Sequence, residues 1–168
     1  WDLMGKISGQ PVWKLMGGKS SRLRLYASMG QRRPIEERTA AAKGLRDRGF
    51  PALKLRFYAE TVNENLAVAR AVREAIGPEI GLLVDANQGW RMPWDTRTPW
   101  DLKTALYVAD ALAELNAFWL EEPLWRTDYR GLAELRKRAK VRIAGGEGNR
   151  DFSEHLECLH HGSLDVYQ

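Results

Sequence analysis

One lysine and three carboxylates each stand at the end of a short apolar run of the sequence. They are Lys54, Asp85, Glu121 and Glu147, separated by 31, 36 and 26 residues. If the fold brings the carboxylates together, they repel one another and their pKa values rise unless a cation lies between them. The residue types therefore predict a metal site, provided that these positions converge in space.

The ligand chemistry of this set favours a hard cation. Asp85, Glu121 and Glu147 offer only oxygen ligands, which suit Mg²⁺ first and Mn²⁺ second, with water and substrate oxygens completing the shell. Zinc is disfavoured because no histidine or cysteine stands at these positions. Any one acid taken alone is better explained by a salt bridge or a helix cap. Glu122 would point away from Glu121 in a strand, and we predict it to be structural.

A cationic face accompanies the acids. Lys54, Arg56 and Tyr58 alternate along one predicted strand and therefore share a face. We predict all three as catalytic: across from the metal, the two cations would neutralise a substrate carboxylate. Neighbouring positive charge would lower the pKa of Lys54 so that it handles a proton, whereas arginine is better suited to a bidentate grip. The alternative is a pair of solvated charges on an edge strand.

A tryptophan-rich segment, residues 89–100, follows Asp85 and is longer than an ordinary βα loop. It is placed to wall a substrate pocket, and we assign substrate contacts to Asn87 and Trp90. The equal alternative is that its tryptophans pack against a domain outside this chain.

The elements that must position these residues alternate between strands and helices from about Leu23 onward. Thr61 with Glu64 forms a capping-box signature at the start of the clearest helix. The predicted strands are Leu23–Met29, Ala52–Phe57, Gly81–Asn87, Ala117–Leu124, Val141–Gly146 and Leu164–Gln168. The predicted helices are Pro34–Arg48, Thr61–Ile76, Pro99–Asn116, Asp128–Ala139 and Phe152–His161.

This alternation predicts an α/β fold with a parallel sheet. The spacing of the four polar groups is close to the roughly 31 residues per βα unit of a (β/α)₈ barrel of about 250 residues, whose catalytic groups lie at the C-terminal strand ends. We count six strands and five helices where a barrel needs eight of each. We therefore expect residues 19–168 to be a partial (β/α)₈ TIM-type barrel, truncated at the C-terminus. Residues 1–18 read as a linker and helix from a capping domain that is largely absent.

Composition and charge exclude several classes of protein. The 26 basic and 22 acidic residues give a net charge of +4, and the basic residues are spread along the chain, which argues against nucleic-acid binding. No apolar run approaches the roughly 20 residues of a membrane helix. The single cysteine permits no intrachain disulfide, and we expect a cytoplasmic protein.

Several ordered motifs resemble the enolase superfamily, in its mandelate racemase/muconate lactonizing enzyme family. The stretches WDLMGK (1–6), GQPV (9–12) and GG (17–18) are similar to that family's link from capping domain to barrel. VDANQ (84–88), WLEEP (119–123) and GGE (145–147) resemble its three metal motifs. By this resemblance Glu121, the first glutamate of its pair, is a ligand, and Glu147 favours the mandelate racemase subgroup over the muconate-cycloisomerase subgroup.

The resemblance implies a reaction class. These enzymes remove the proton α to a carboxylate and form an enediolate that Mg²⁺ stabilises as a Lewis acid. Most relatives of the subgroup are acid-sugar dehydratases, which are lyases, so we expect a dehydratase acting on a small-molecule sugar acid, in a homo-oligomer. One alternative is a racemase or epimerase of a 2-hydroxy acid. Another is an inactive fragment or oligomer-forming scaffold.

Two departures from the family pattern concern the bases. The family commonly shows Lys-x-Lys on the second barrel strand, where this chain has Lys54-Leu55-Arg56. The proton chemistry then falls to Lys54, to Arg56 assisted by Tyr58, or to another strand. The subgroup's other base, a His–Asp pair on later strands, would lie beyond Gln168.

Overall fold

The computed structural model describes all of residues 1–168 and shows one open parallel sheet flanked by helices. The six strands are hydrogen-bonded in chain order, and a helix joins each strand to the next. The predicted α/β class, the parallel sheet and the six strands are confirmed. Two short helices within residues 1–18 bring the helix count to seven.

The strands are β1 (Ala27–Met29), β2 (Ala52–Arg56), β3 (Gly81–Asp85), β4 (Ala117–Glu121), β5 (Arg142–Gly145) and β6 (Val166–Tyr167). The helices are α1 (Asp2–Ser8), α2 (Val12–Leu15), α3 (Ile35–Asp47), α4 (Val62–Ile76), α5 (Leu102–Glu114), α6 (Tyr129–Arg138) and α7 (Phe152–His161). None of these helices has the length and apolar character that crossing a membrane requires.

Strands β3 and β4 end two and three residues earlier than predicted, and β2, β5 and β6 end one residue earlier. β3 stops at Asp85 and β4 at Glu121, because Asn87 and Glu122 adopt left-handed backbone angles, with φ of 52° and 47°. A strand cannot contain such angles. The backbone therefore turns directly after each of the two acids.

Acidic or hydroxyl side chains cap four of the five long helices, and α3, which begins after Pro34, has no side-chain cap. The predicted capping box at α4 is confirmed, since the Thr61 side chain accepts from the Glu64 backbone N–H and the Glu64 side chain accepts from the Thr61 N–H. Asp101, Asp128 and Asp151 accept hydrogen bonds from first-turn N–H groups of α5, α6 and α7. These contacts satisfy donors that a helix start leaves unpaired.

The two faces of the sheet carry different residues, because successive strand side chains point to opposite sides. One face, the outer face, packs against the helices in a single cluster of 25 buried apolar residues that includes Leu53, Leu82 and Leu120. The opposite face, the inner face, has only a small apolar cluster of Leu83, Trp119 and Ala144. The polar strand-end residues lie on this inner face.

Candidate metal centre

Asp85 and Glu121 form the centre of the candidate site. They are the last residues of β3 and β4, and the parallel register places them side by side, with Arg56 opposite Asp85 on the other flank. Both carboxylates are 0% exposed. The structure thus brings together two of the three acids that the sequence spacing singled out.

The ammonium of Lys54 lies between these carboxylates. Its Nζ donates to Glu121 Oε1 at 2.7 Å and lies 3.5 Å from Asp85 Oδ2. Arg56 Nε lies 3.3 Å from the same Asp85 oxygen. Lys54 and Arg56 therefore share the inner face, as their alternation predicts, but they pair with the acids and do not lie across from them.

The pKa of Lys54 moves in the opposite direction to the one expected. Burial lowers it, but the hydrogen bond and charge of Glu121, together with the charge of Asp85, outweigh burial, and the net pKa is raised. The expectation that neighbouring positive charge lowers this pKa is wrong, because the nearest charges are carboxylates.

Asp85 carries charge that its surroundings only partly balance. Burial, and then the charge of Glu121, raise the pKa of Asp85 to about 6, although Lys54 and Arg56 oppose them. The Asn87 backbone N–H donates to Asp85 Oδ1 at 3.0 Å, but the buried Oδ2 accepts no hydrogen bond. Its charge is met by the Lys54 and Arg56 cations at 3.5 Å and 3.3 Å, without a formed hydrogen bond.

Two aromatic residues complete the surroundings of Glu121. Trp119 Nε1 donates to Glu121 Oε2 at 3.2 Å, and the Tyr26 ring meets Trp119 edge-on at 5.7 Å. Lys54 Nζ lies 5.8 Å from the centre of the Tyr26 ring. Sequence reasoning missed both residues. Trp119 stands two positions before Glu121 and so shares its face, whereas Tyr26 precedes β1 and carries no such signal.

Glu147 follows the end of β5 and does not form a three-carboxylate metal group with the other two acids. Ala144 is the β5 partner of Glu121, and Gly146, with φ of 116°, turns the chain before Glu147 is reached. Glu147 Oε1 instead accepts a hydrogen bond from Trp90 Nε1 at 3.3 Å. No group of three or more His, Cys, Asp or Glu side chains is arranged in this structure to hold a metal ion.

Glu122 directly follows Glu121 but lies outside strand β4. Its side chain is buried, neither carboxylate oxygen has a hydrogen-bond partner, and a Cβ at Gly89 would lie 2.5 Å from its Oε1. Burial, followed by the charges of Glu147, Asp85 and Glu121, raises the pKa of Glu122 to about 8. Glu122 is not a strand residue, because its left-handed backbone lies outside β4. Its side chain lines a small cavity with Leu132 and Cys158 of the outer-face cluster, so it points away from Glu121 as predicted.

Tyr58 is surrounded by arginines. The guanidinium groups of Arg32 and Arg38 lie 5.7 Å and 5.8 Å from the centre of its ring, and its hydroxyl donates to the carbonyl of Gly30. Arg38 is buried and also donates to the main-chain carbonyl of Arg56. Arg38 thus supports both Arg56 and Tyr58 from the α3 side.

A cavity of about 400 Å³ opens beside the centre. Both predicted substrate-contact residues, Asn87 and Trp90, line it together with Tyr58. Within the tryptophan-rich loop, Trp94 lines the cavity and is 75% exposed, as the pocket-wall prediction expects. Trp100 instead packs against this chain's own core beside Phe57, with the ring centres 6.4 Å apart, which neither predicted role described.

The donor set fits a hard divalent cation in its chemistry. Asp85 and Glu121 supply adjacent carboxylate oxygens, which are the ligands that Mg²⁺ prefers. Asp85 Oδ2 is buried without a hydrogen-bond partner, so the pair keeps an acceptor oxygen that a cation could use. The Lys54 ammonium is the cation that this structure places between the two strand-end acids.

The sequence of this chain is similar to known proteins. A family described as Enolase C-terminal domain-like matches residues 37–168. The L-talarate/galactarate dehydratase of Salmonella typhimurium is 31% identical over 170 residues, which cover 100% of this chain and 40% of that enzyme.

Solved structures show the same fold. A racemase from Streptomyces coelicolor with bound magnesium superposes with a TM-score of 0.87 at 29% identity, covering 99% of this chain and 47% of that one. The L-talarate dehydratase from Polaromonas complexed with Mg and L-glucarate gives a TM-score of 0.87 at 30% identity, covering 100% and 45%. The chain therefore spans less than half the length of these relatives.

The family match covers most of the chain, and the open six-stranded sheet agrees with part of a (β/α)₈ barrel. The predicted recognition is confirmed: the chain belongs to the enolase superfamily, and its sheet is part of that superfamily's C-terminal barrel domain.

Proposed function

We propose that this chain is the metal-binding part of an acid-sugar dehydratase, a lyase that removes the proton α to a carboxylate and then eliminates water. The observation that carries the proposal is the buried Asp85–Glu121 pair at adjacent strand ends, beside an open cavity. Acids at this end of a barrel sheet are placed for catalysis. The similarity to sugar-acid dehydratases supports the choice of substrate class.

In this proposal Asp85 and Glu121 would hold Mg²⁺, with Mn²⁺ as a second choice. Glu147 is the third expected ligand and would join them only by giving up its hydrogen bond from Trp90. When bound, the ion supplies Lewis-acid stabilisation of negative charge on the substrate carboxylate. Trp119 orients Glu121 by donating to its second oxygen. The Asn87 backbone N–H orients Asp85 in the same way. Such supporting hydrogen bonds fix the direction of metal ligands.

The cationic face has a separate task. We assign Lys54 and Arg56 to the neutralisation of the substrate carboxylate and to proton handling, and Tyr58 to the wall of the same site. Arg56, which is partly exposed, is the group suited to a bidentate grip. Arg38 holds the Arg56 backbone in place from the opposite side of β2.

The proposal is tested with the full-length gene product, Mg²⁺ and a library of sugar acids in D₂O. We expect a 2-keto-3-deoxy product from at least one sugar acid. Asp85→Asn and Glu121→Gln should each lower turnover by more than about 100-fold, because loss of an outer supporting partner alone costs roughly 10- to 100-fold. Asp110→Asn, at an exposed position of α5, is the matched control and should leave turnover unchanged. Absence of both product and α-deuterium incorporation would overturn the proposal.

A racemase or epimerase of a 2-hydroxy acid is the second candidate. The similarity to a magnesium-containing racemase favours it. The same D₂O experiment separates the two functions: deuterium at the α-carbon with full recovery of the substrate and its epimer supports racemisation, whereas loss of substrate to a keto acid supports dehydration.

A further inference from the structure

The cavity beside the metal centre lies between the end of β2 and the tryptophan-rich loop. Its volume of about 400 Å³ falls within the roughly 300–1,000 Å³ of small-molecule sites. Tyr58, Asn87 and Trp90 line it and belong to the candidate site as well. Asn87 connects the cavity to the acids, because its backbone N–H donates to Asp85 Oδ1. A substrate bound at the acids would therefore contact the residues that line this cavity.

Five charged residues line the cavity, and three of them, Arg91, Asp95 and Arg97, pair with one another. Asp95 Oδ2 lies 2.7 Å from Arg97 Nη2, and Asp95 Oδ1 lies 3.9 Å from Arg91 Nη1. Hydrogen bonds from Arg97 hold the pKa of Asp95 well below its ordinary value. Glu60 acts on Arg97 as well, because its charge contributes to the raised pKa of that arginine. Asp95 is thus paired with Arg91 and Arg97, whereas Glu60 lies near Arg97 without forming an ion pair with it.

Arg32 is the cavity arginine that forms no ion pair. It is exposed, no carboxylate lies within salt-bridge distance of it, and its guanidinium lies 5.7 Å from the centre of the Tyr58 ring. Its neighbour Arg33 differs, since it contacts Gln31 and Glu37 on the protein surface. A guanidinium that stacks on an aromatic ring keeps its planar donor fork free, and that fork matches a carboxylate in bidentate fashion.

We propose that Arg32 binds the distal carboxylate of the substrate, so that the site selects aldarates, sugar acids with a carboxylate at each end, over aldonates, which have only one. This inference rests on the proposed function, because that function places the first carboxylate at the metal centre. Trp90 and Trp94 line the cavity and offer apolar faces to the C–H bonds of the sugar chain. The cavity is lined by three arginines and two acids, and this net positive charge attracts a second carboxylate.

The test is a tryptophan-fluorescence titration of the full-length gene product with galactarate and with galactonate, in Mg²⁺. We expect the wild type to bind galactarate at least about tenfold more tightly, as one charged hydrogen-bonded contact predicts. Arg32→Met should remove this preference, and Arg32→Lys should restore part of it through charge alone. Arg33→Met is the matched control and should keep the full preference. Circular dichroism checks that each variant is folded.

Equal affinity of the wild type for the two acids, or a preference that survives Arg32→Met, would overturn the inference, as would the absence of saturable binding of galactarate. The proposed function is judged separately by α-proton exchange. If α-proton exchange occurs with aldonates and aldarates alike and is unaffected by Arg32→Met, the proposed function is supported and the inference about Arg32 is contradicted. Galactarate binding that depends on Arg32, without exchange, leaves the inference standing without the function.

Discussion

The outer and inner faces of the sheet are built from the same strands but bury different kinds of side chain. On the outer face, Leu53, Leu82 and Leu120 are 0% exposed and pack with helix side chains in one apolar cluster. On the inner face, Asp85 and Glu121 are equally buried but are charged. Burying apolar surface stabilises a fold, whereas burying charge is unfavourable unless the charge is paired.

The difference shows where stability and chemistry are located in this molecule. The alternation of strand side chains lets one strand contribute to both faces, so that Leu120 serves the core while its neighbour Glu121 serves the site. The outer face tolerates only changes that preserve volume, and the inner face tolerates only changes that preserve charge balance. Substitutions on the two faces should therefore fail in distinguishable ways.

The largest effect on the inner face should follow Lys54→Met. Removing the ammonium leaves Glu121 without its 2.7 Å partner, and breaking a buried pair in this way costs about 3–5 kcal/mol. Urea denaturation in EDTA measures this loss of unfolding free energy. Saturating Mg²⁺ should restore part of it by supplying positive charge. A loss below about 1 kcal/mol would show that Lys54 does not balance the acids.

On the outer face, Leu120→Ala should lower the free energy of unfolding by about 2–5 kcal/mol, because it leaves a cavity among fully buried side chains. Unlike Lys54→Met, this loss should not respond to Mg²⁺ beyond the shift seen for the wild type. The same denaturation series measures it, with the exposed-site variant Asp110→Asn as control. A Mg²⁺-specific rescue of Leu120→Ala would contradict the separation of the two faces.

A smaller effect should follow Trp119→Phe, which keeps the aromatic ring but removes the Nε1–H donor to Glu121. Isothermal titration calorimetry should show Mg²⁺ affinity lowered by roughly 10-fold, the low end for a supporting partner. Phe118→Leu is the control, because its side chain is partly exposed and donates no hydrogen bond to the acids. Unchanged affinity in Trp119→Phe would remove Trp119 from the site.

The smallest effect should come from a helix start remote from both faces. Asp151 caps α7, and its hydrogen bonds with Ser153 and Glu154 lower its pKa. Because the folded pKa is depressed, the contribution of Asp151 to stability is present above its unfolded pKa of about 3.9 and is lost as the pH falls through the folded value. Asp151→Ala should therefore lower the thermal midpoint at pH 7, and the difference from wild type should shrink at acid pH. A pH-independent difference would contradict this account.

Much of the fold follows from local signals. The helix starting at Thr61 is predicted at its correct position because its capping box and apolar spacing are both short-range features. The order of strands and helices, and hence the parallel sheet, follows in the same way. The strand ends were harder to predict, since Asn87 and Glu122 read as extended by composition and adopt left-handed angles instead.

The site was predicted less completely. Spacing along the chain identified Asp85 and Glu121, and the structure places them side by side. It could not show that Glu147 lies beyond a turn at Gly146, facing Trp90, or that Glu122 is buried near the acids. Tyr26 and Arg38 reach the site from other elements and had no motif to identify them.

Sequence alone determined the element order, the parallel sheet and the two strand-end acids, because periodicity and capping act over a few residues and a parallel register aligns strand ends. Tertiary structure alone decided the charge balance of the inner face. The sign of the pKa shift of Lys54 depends on Glu121, 67 residues away along the chain, and on Asp85. Such long-range electrostatic contacts exist only once the strands are packed, since charge interactions depend on distance in space.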